Sequence, residues 1–227
     1  MRAAPSGTQE SYTGGAVLMC AGVACLSAND AVAKALTAHY APLQILFLRN
    51  VIALPFTVLI ALIMGGRPAL KTYRPLAHLM RGMLWVAATM LFFTSFIYLG
   101  LAEATALVFV APFFITVISA LFLREKVGMR RWLAVLFGFL GVLVVIRPGG
   151  AAFQAASLLP VATALVYALL MLSARWIDAR ESVWTLLVYL TGTAALISAF
   201  IVPFVWVPVP IEDLWLLRPS PFSERQV

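Results

Sequence analysis

Seven polar side chains stand inside or at the edges of long apolar runs: Asn29, Asp30 and Lys34 in LSANDAVAKAL, Arg49 and Asn50 in PLQILFLRNVIALPF, Tyr98 where a third run ends and Glu103 where a fourth begins. An acid and a guanidinium so placed can pair with each other, hold a charged solute or, in the case of the acid, carry a proton, and an ionised group left alone in hydrocarbon costs several kcal/mol. Asp30 lies about six residues before the end of its run and Arg49 about six after the start of the next, so at 1.5 Å per residue both fall roughly 9 Å below the same boundary. Lys34, one turn beyond Asp30, either competes for that acid or lets its stem snorkel to the surface. Asp30, Arg49, Asn29, Asn50, Lys34, Glu103 and Tyr98 are therefore the candidate substrate or proton-coupling residues. The structural alternative makes Asp30 and Arg49 an ion pair, Lys34 and Glu103 interfacial anchors and Tyr98 a belt residue.

The elements that must position these groups are helices. The chain is 63% hydrophobic and 11% charged, against about 45–50% and about 25% for soluble domains, and its mean hydropathy is +1.00. Its apolar residues form seven blocks, Gly15–Leu36, Leu43–Met64, Leu76–Leu99, Ala104–Leu123, Trp132–Ile146, Leu158–Trp176 and Val183–Val207, each near the length that crosses about 30 Å of hydrocarbon. The fifth is the shortest. No alternation of polar and apolar residues suggests barrel strands. The fold class is all-α, a polytopic membrane bundle of about seven transmembrane helices. Within it Pro55 and Pro112 are expected to bend the second and fourth helices, while Pro160 and Pro203 fall nearer helix ends. Gly138 and Gly141, three apart in LFGFLGVLVVI, permit close helix approach. Trp132, Trp176 and Trp184 sit near one boundary and Trp206 near the other, as interfacial rings do.

The N-terminal segment MRAAPSGTQESYTGG, followed by a string of spans, is not a cleaved secretory signal. With that end in the cytoplasm, eleven basic residues (Arg2, Arg67, Lys71, Arg74, Arg81, Arg124, Lys126, Arg130, Arg131, Arg175 and Arg180) face inward, and four (Lys34, Arg147, Arg218 and Arg225) face outward. That asymmetry selects the N-terminus-in orientation and accounts for the net charge of +7. The basic residues are dealt out loop by loop, so nucleic acid is not the partner. Cys20 and Cys25 on one apolar helix make no disulfide or metal set. There is no phosphate-binding GxxxxGK[ST] loop, no HExxH and no serine elbow, and His39 and His78 fall at opposite boundaries; the chain reads as neither an enzyme nor a cofactor protein.

The whole pattern resembles the drug/metabolite transporter superfamily and its EamA-type domain. The resemblance is strongest in EATALVFVAPFFITVISALFLREKVGMRRWLAVLFGFLGVLVVIRPG, Glu103 to Gly149, with a proline-bearing fourth helix at Pro112, Glu125 just after it, a short basic turn and a glycine-spaced fifth helix. It implies a plasma-membrane transporter of small metabolites built from two five-helix units in inverted orientation around a central site. The expected organisation is a cytoplasmic tail over 1–13, a five-helix unit over 14–149, the first two helices of a second repeat over 150–207 and an irregular tail over 208–227, outside the cell if there are seven spans. Three helices of the second repeat are missing from this pattern. The leading expectation is a secondary transporter of a small organic solute in a bacterial inner-membrane type of plasma membrane, with protons as a candidate coupling ion. The alternative is a truncated, non-transporting membrane protein or assembly partner, for which a homodimer would be one way to cover exposed faces if the chain is complete.

Overall fold

The computed structural model describes residues 7–122, 124, 127–146, 155–177 and 181–208. They fold into eight α-helices and no strand: α1 Gly7–Leu36, α2 Pro42–Gly65, α3 Pro75–Tyr98, α4 Leu101–Val108, α5 Ala111–Leu121, α6 Met129–Ile146, α7 Leu158–Ser173 and α8 Val183–Ile201. Six segments are long and apolar enough to cross a membrane, α4 and α5 forming one of them together, and α6 supplies a shorter apolar stretch, Trp132–Val144. These match the seven apolar blocks.

The two interior prolines act differently. Pro112 lies in the first turn of α5, where its missing N–H would be unpaired anyway, and the fourth crossing breaks there into two helices. Pro55 is carried inside an unbroken α2. The chain enters α2 and α3 through Pro42 and Pro75, each at the first helical position; Ser182 caps α8 by accepting a hydrogen bond from the Thr185 N–H at 3.2 Å, which satisfies one of the orphan donors of a helix start.

Packing does not follow chain order. The broad contacts join α2 to α8 and α3 to both α7 and α8, with α5 also on α7, so the last two helices lie among the first five. One core gathers Phe93, Phe96, Leu99, Leu107, Val110 and Ala164, all at or below 3% exposure. Phe113 stacks on Phe139 at 4.7 Å, fastening α6 to α5. Helix α1 packs into the core through its final turns, around Ala33 and Leu36, and residues 14–29 are exposed. Large apolar side chains such as Phe56, Phe137, Phe200 and Ile63 are more than 60% exposed. In water such surface drives aggregation, whereas in a bilayer it faces its proper solvent.

The tightest contact at a glycine among the described residues is at Gly82. A Cβ there would clash with Thr193 Oγ1 and sit 2.6 Å from Thr193 Cβ, so α3 and α8 approach to backbone distance. The glycine pair singled out in the sequence behaves otherwise, since a Cβ added at Gly138 or Gly141 would meet nothing within 4 Å. The close approach expected there is not made within the described residues, because the face of α6 that carries them points away from the other helices. Glu125 lies outside the described residues.

Gly82→Ala is expected to lower stability by about 1–3 kcal/mol through overpacking, read as a fall in melting temperature in detergent. Gly138→Ala and Gly141→Ala, in open helical positions, should leave it unchanged or raise it by up to about 1 kcal/mol. Equal losses at all three positions would contradict this packing.

Candidate functional site

The two ends of the bundle carry different polar chemistry. At the end where α1 and α3 finish and α2 begins, Lys34 does neither of the things its position suggests. Its ammonium donates to the Phe96 carbonyl and to the Leu99 carbonyl at 2.9 Å, capping the C-terminus of α3 with a positive charge where the helix dipole is negative. Gln44, wholly buried, exchanges two hydrogen bonds with the Val207 backbone, donating at 2.6 Å and accepting at 3.0 Å. It ties the start of α2 to the chain leaving α8. Sequence reading passed over Gln44, since an uncharged amide near a boundary carries no signal by itself.

Deeper on the same side, Arg49 reaches from α2 to α1 and α3. Its Nη1 donates to Asn29 Oδ1 at 3.3 Å, and its guanidinium carbon lies 5.6 Å from the Trp85 ring centroid and 5.3 Å from that of Phe93. Two aromatic faces stabilise a cation by about 0.5–2 kcal/mol each, most when water is excluded. Asp30, half-buried, is near enough to interact with the Arg49 charge, yet no ion pair closes between them within 4.0 Å. The expected pairing is thus an attraction without contact. A half-buried guanidinium with one long side-chain bond keeps donors free, and the acid beside it keeps its acceptors.

The other expected residues are not drawn in. Asn50 is buried, but its amide donates to the Leu46 carbonyl of its own helix at 2.8 Å. Tyr98 is 60% exposed. Glu103 lies in the first turn of α4, where a carboxylate faces the positive end of the dipole, and no hydrogen bond joins it to Arg49 or Asp30. The cluster therefore consists of Asn29, Asp30 and Arg49, with Trp85 and Phe93 as its aromatic walls.

At the opposite end stands a second cluster that sequence reading missed. Glu181 Oε2 and His78 Nε2 are 2.6 Å apart, with side chains 0% and 1% exposed. Its Oε1 accepts from Thr72 Oγ1 at 2.9 Å and from the Tyr73 N–H at 2.6 Å. The His78 ring lies 4.8 Å from that of Tyr189, whose hydroxyl donates to the Leu70 carbonyl at 3.1 Å. One turn along α3, Arg81 is 5% exposed; its Nη1 donates to the Leu170 carbonyl at 3.0 Å and Ser173 Oγ at 3.1 Å, and its Nε has no acceptor. Burial raises the Glu181 carboxyl, but hydrogen bonds from His78, the Tyr73 N–H and Thr72, with the His78 charge, outweigh it and hold the group below its ordinary range. A depressed carboxyl contributes stability above its unfolded value and loses it as pH falls through the folded one, so this cluster persists through neutral and mildly acid pH. Among the described residues, the charged and titratable groups around it include His78 and Arg81 on α3, Tyr73 and Arg74 before it, and Tyr189 on α8.

Residues 13–147 match the EamA-like transporter family. This chain belongs to the EamA-like transporter family. It is 38% identical over 128 residues to a riboflavin transporter of Vibrio cholerae, covering 56% of this chain and 43% of that protein. It is 30% identical over 208 residues to an S-adenosylmethionine uptake transporter of Rickettsia conorii, covering 87% of this chain and 63% of that protein. A pseudopaline exporter of Pseudomonas aeruginosa is 26% identical over 197 residues, with 84% and 67% covered. A match over 87% of the chain necessarily runs through α7 and into α8. The chain spans less than two thirds of the length of the first two of these relatives. No solved structure gives a significant match. With six spans of sufficient length, the EamA-like chain is a multi-pass membrane protein.

Lys34→Met should cost about 1–2 kcal/mol by leaving the α3 carbonyls uncapped, and Lys34→Arg should restore part of it, measured by thermal denaturation in detergent. The stability lost in Glu181→Gln should hold steady from neutral pH to about 5 and shrink below about 4; a loss already declining near pH 6 would contradict the depressed carboxyl.

Proposed function

We propose that this protein acts as, or as part of, a secondary transporter that moves a small organic solute across a bacterial plasma membrane by alternating access, with Asn29, Asp30 and Arg49 contacting the solute between the rings of Trp85 and Phe93. The observation that carries the reading is an acid and a guanidinium, half-buried side by side on α1 and α2 without closing an ion pair, in a chain of a transporter family. Two opposite charges left apart at one depth can each take a charged group of a solute, and aromatic faces accept a flat one. The names of the relatives, a riboflavin transporter and an S-adenosylmethionine uptake transporter, support a small metabolite that carries a flat heteroaromatic ring, and the exporter among them leaves the direction to experiment.

The contacts support the orientation read from the loops. Arg67, Lys71, Arg74 and Arg175 share the Glu181 end with the α2–α3 and α7–α8 connections, which supports reading it as the cytoplasmic end under the positive-inside rule. Helices α7 and α8 are the first two of a second, inverted repeat in this reading, and direct packing of α2 on α8, the second helix of each, is what a two-fold relation between repeats produces. Asp30, the acid nearest the solute, is the candidate proton carrier.

The test is flux of radiolabelled riboflavin and S-adenosylmethionine in proteoliposomes holding the full chain. Arg49→Gln and Asp30→Asn should each reduce transport at least about tenfold with folded protein retained, and flux in Asp30→Asn should no longer respond to a collapsed proton gradient. Transport indifferent to both substitutions would remove the cluster from the pathway. A chain that moves neither probe, while binding neither, would favour the non-transporting alternative.

A further inference from the structure

The contacts around Glu181 join segments far apart in the chain: Thr72, Tyr73 and His78 are 109, 108 and 103 residues away from it. One carboxylate thus ties the α2–α3 connection and the start of α3 to the start of α8. All of these bonds end on the same two oxygens, so they form or break together. Just behind them along α3, Arg81 is in the contrary situation. It is buried, the carbonyl and hydroxyl it meets are neutral, and its Nε hydrogen is unanswered. A guanidinium held so gains hydration when water is admitted.

We propose that the Glu181 cluster is the inner gate of this protein, a latch that holds the cytoplasmic end closed, with Arg81 the uncompensated charge behind it that favours opening. The inference rests on the transporter reading for its purpose, though the gate itself is a conformational equilibrium that needs no solute. Closed, the carboxylate takes part in three hydrogen bonds and Arg81 is short of partners. Open, the carboxylate gives up those bonds for water at a net cost, while Arg81 recovers hydration. The two effects oppose each other, which is what keeps two states within reach of a solute's binding energy. An ordinary structural staple has no such counterweight, and removing either Glu181 or Arg81 would then loosen the same end.

That difference in sign supplies the experiment. With the exposed Cys20 and Cys25 replaced by serine, a reporter cysteine is placed at Ala168 on α7 near the cytoplasmic end, and in a second protein at Ala104 on α4 near the other; both positions are 0% exposed. A membrane-impermeant maleimide is applied from the cytoplasmic face in inverted vesicles and from the outer face in intact cells. Glu181→Ala should speed labelling at the Ala168 reporter about tenfold or more and leave the Ala104 reporter protected. Adding Arg81→Met to Glu181→Ala should bring the Ala168 rate back toward that of the parent. The proposal is overturned if Glu181→Ala leaves the Ala168 rate unchanged, if both reporters become reactive together, or if Arg81→Met increases labelling further. Because the labelling rates are compared without added solute, failure here leaves the flux measurements to judge transport separately.

Discussion

Hydrocarbon offers no hydrogen bonds, and most of the described polar groups of this bundle are arranged around that constraint. Threonines and serines turn back on their own helices: Thr116 to the Pro112 carbonyl at 2.8 Å, Ser198 to Ala194 at 2.7 Å, Thr193 to Tyr189 at 2.6 Å. Longer side chains serve ends that local structure leaves open, as Lys34 does for α3 and Gln44 for the segment after α8. Among the described residues, those left incompletely satisfied include Arg49 and Asp30 on one side, Arg81 on the other, and the buried Ser119 hydroxyl on α5. In a membrane protein the groups for which the fold has not provided are the ones most open to water or solute.

Helix α3 organises both clusters. It presents His78 and Arg81 to the end bearing Glu181, Gly82 to the close contact with α8, and Trp85 and Phe93 to Arg49. These positions recur at helical spacing, so one stripe connects them. Its packing against α7 and α8, more than against its neighbours in sequence, means that the family domain over residues 13–147 is completed by helices beyond it. A movement that separates α3 from the start of α8 would act on the two clusters at once.

The aromatic environment of Arg49 also distinguishes it from an ordinary membrane arginine. Asn29 accepts from it on the α1 side and two aromatic ring centroids lie 5.3 and 5.6 Å from its guanidinium carbon, so the cation is held without being neutralised. A closed Asp30–Arg49 bridge would have consumed both charges. Keeping them apart leaves a site in which either can respond to a visiting group, at the cost of a weaker hold on α1, whose first half is exposed.

The sequence by itself determined the helical class, the number and rough limits of the spans and the polar positions on the first two helices, because hydropathy and helical rise are local properties that a run of residues carries unaided. It predicts bends at both Pro55 and Pro112, whereas the chain breaks at Pro112 and runs unbroken through Pro55. It also carried the family, through the run from Glu103 onward. Only the tertiary structure decided what the polar groups touch. Lys34 meets a carbonyl 65 residues away and Glu181 an imidazole 103 residues away, and nothing in either segment names its partner. The same holds for the glycines: Gly138 and Gly141 have the spacing, yet Gly82 has the neighbour. Side-chain pairing across a bundle depends on which helix faces are brought together, and that is a property of the packed whole.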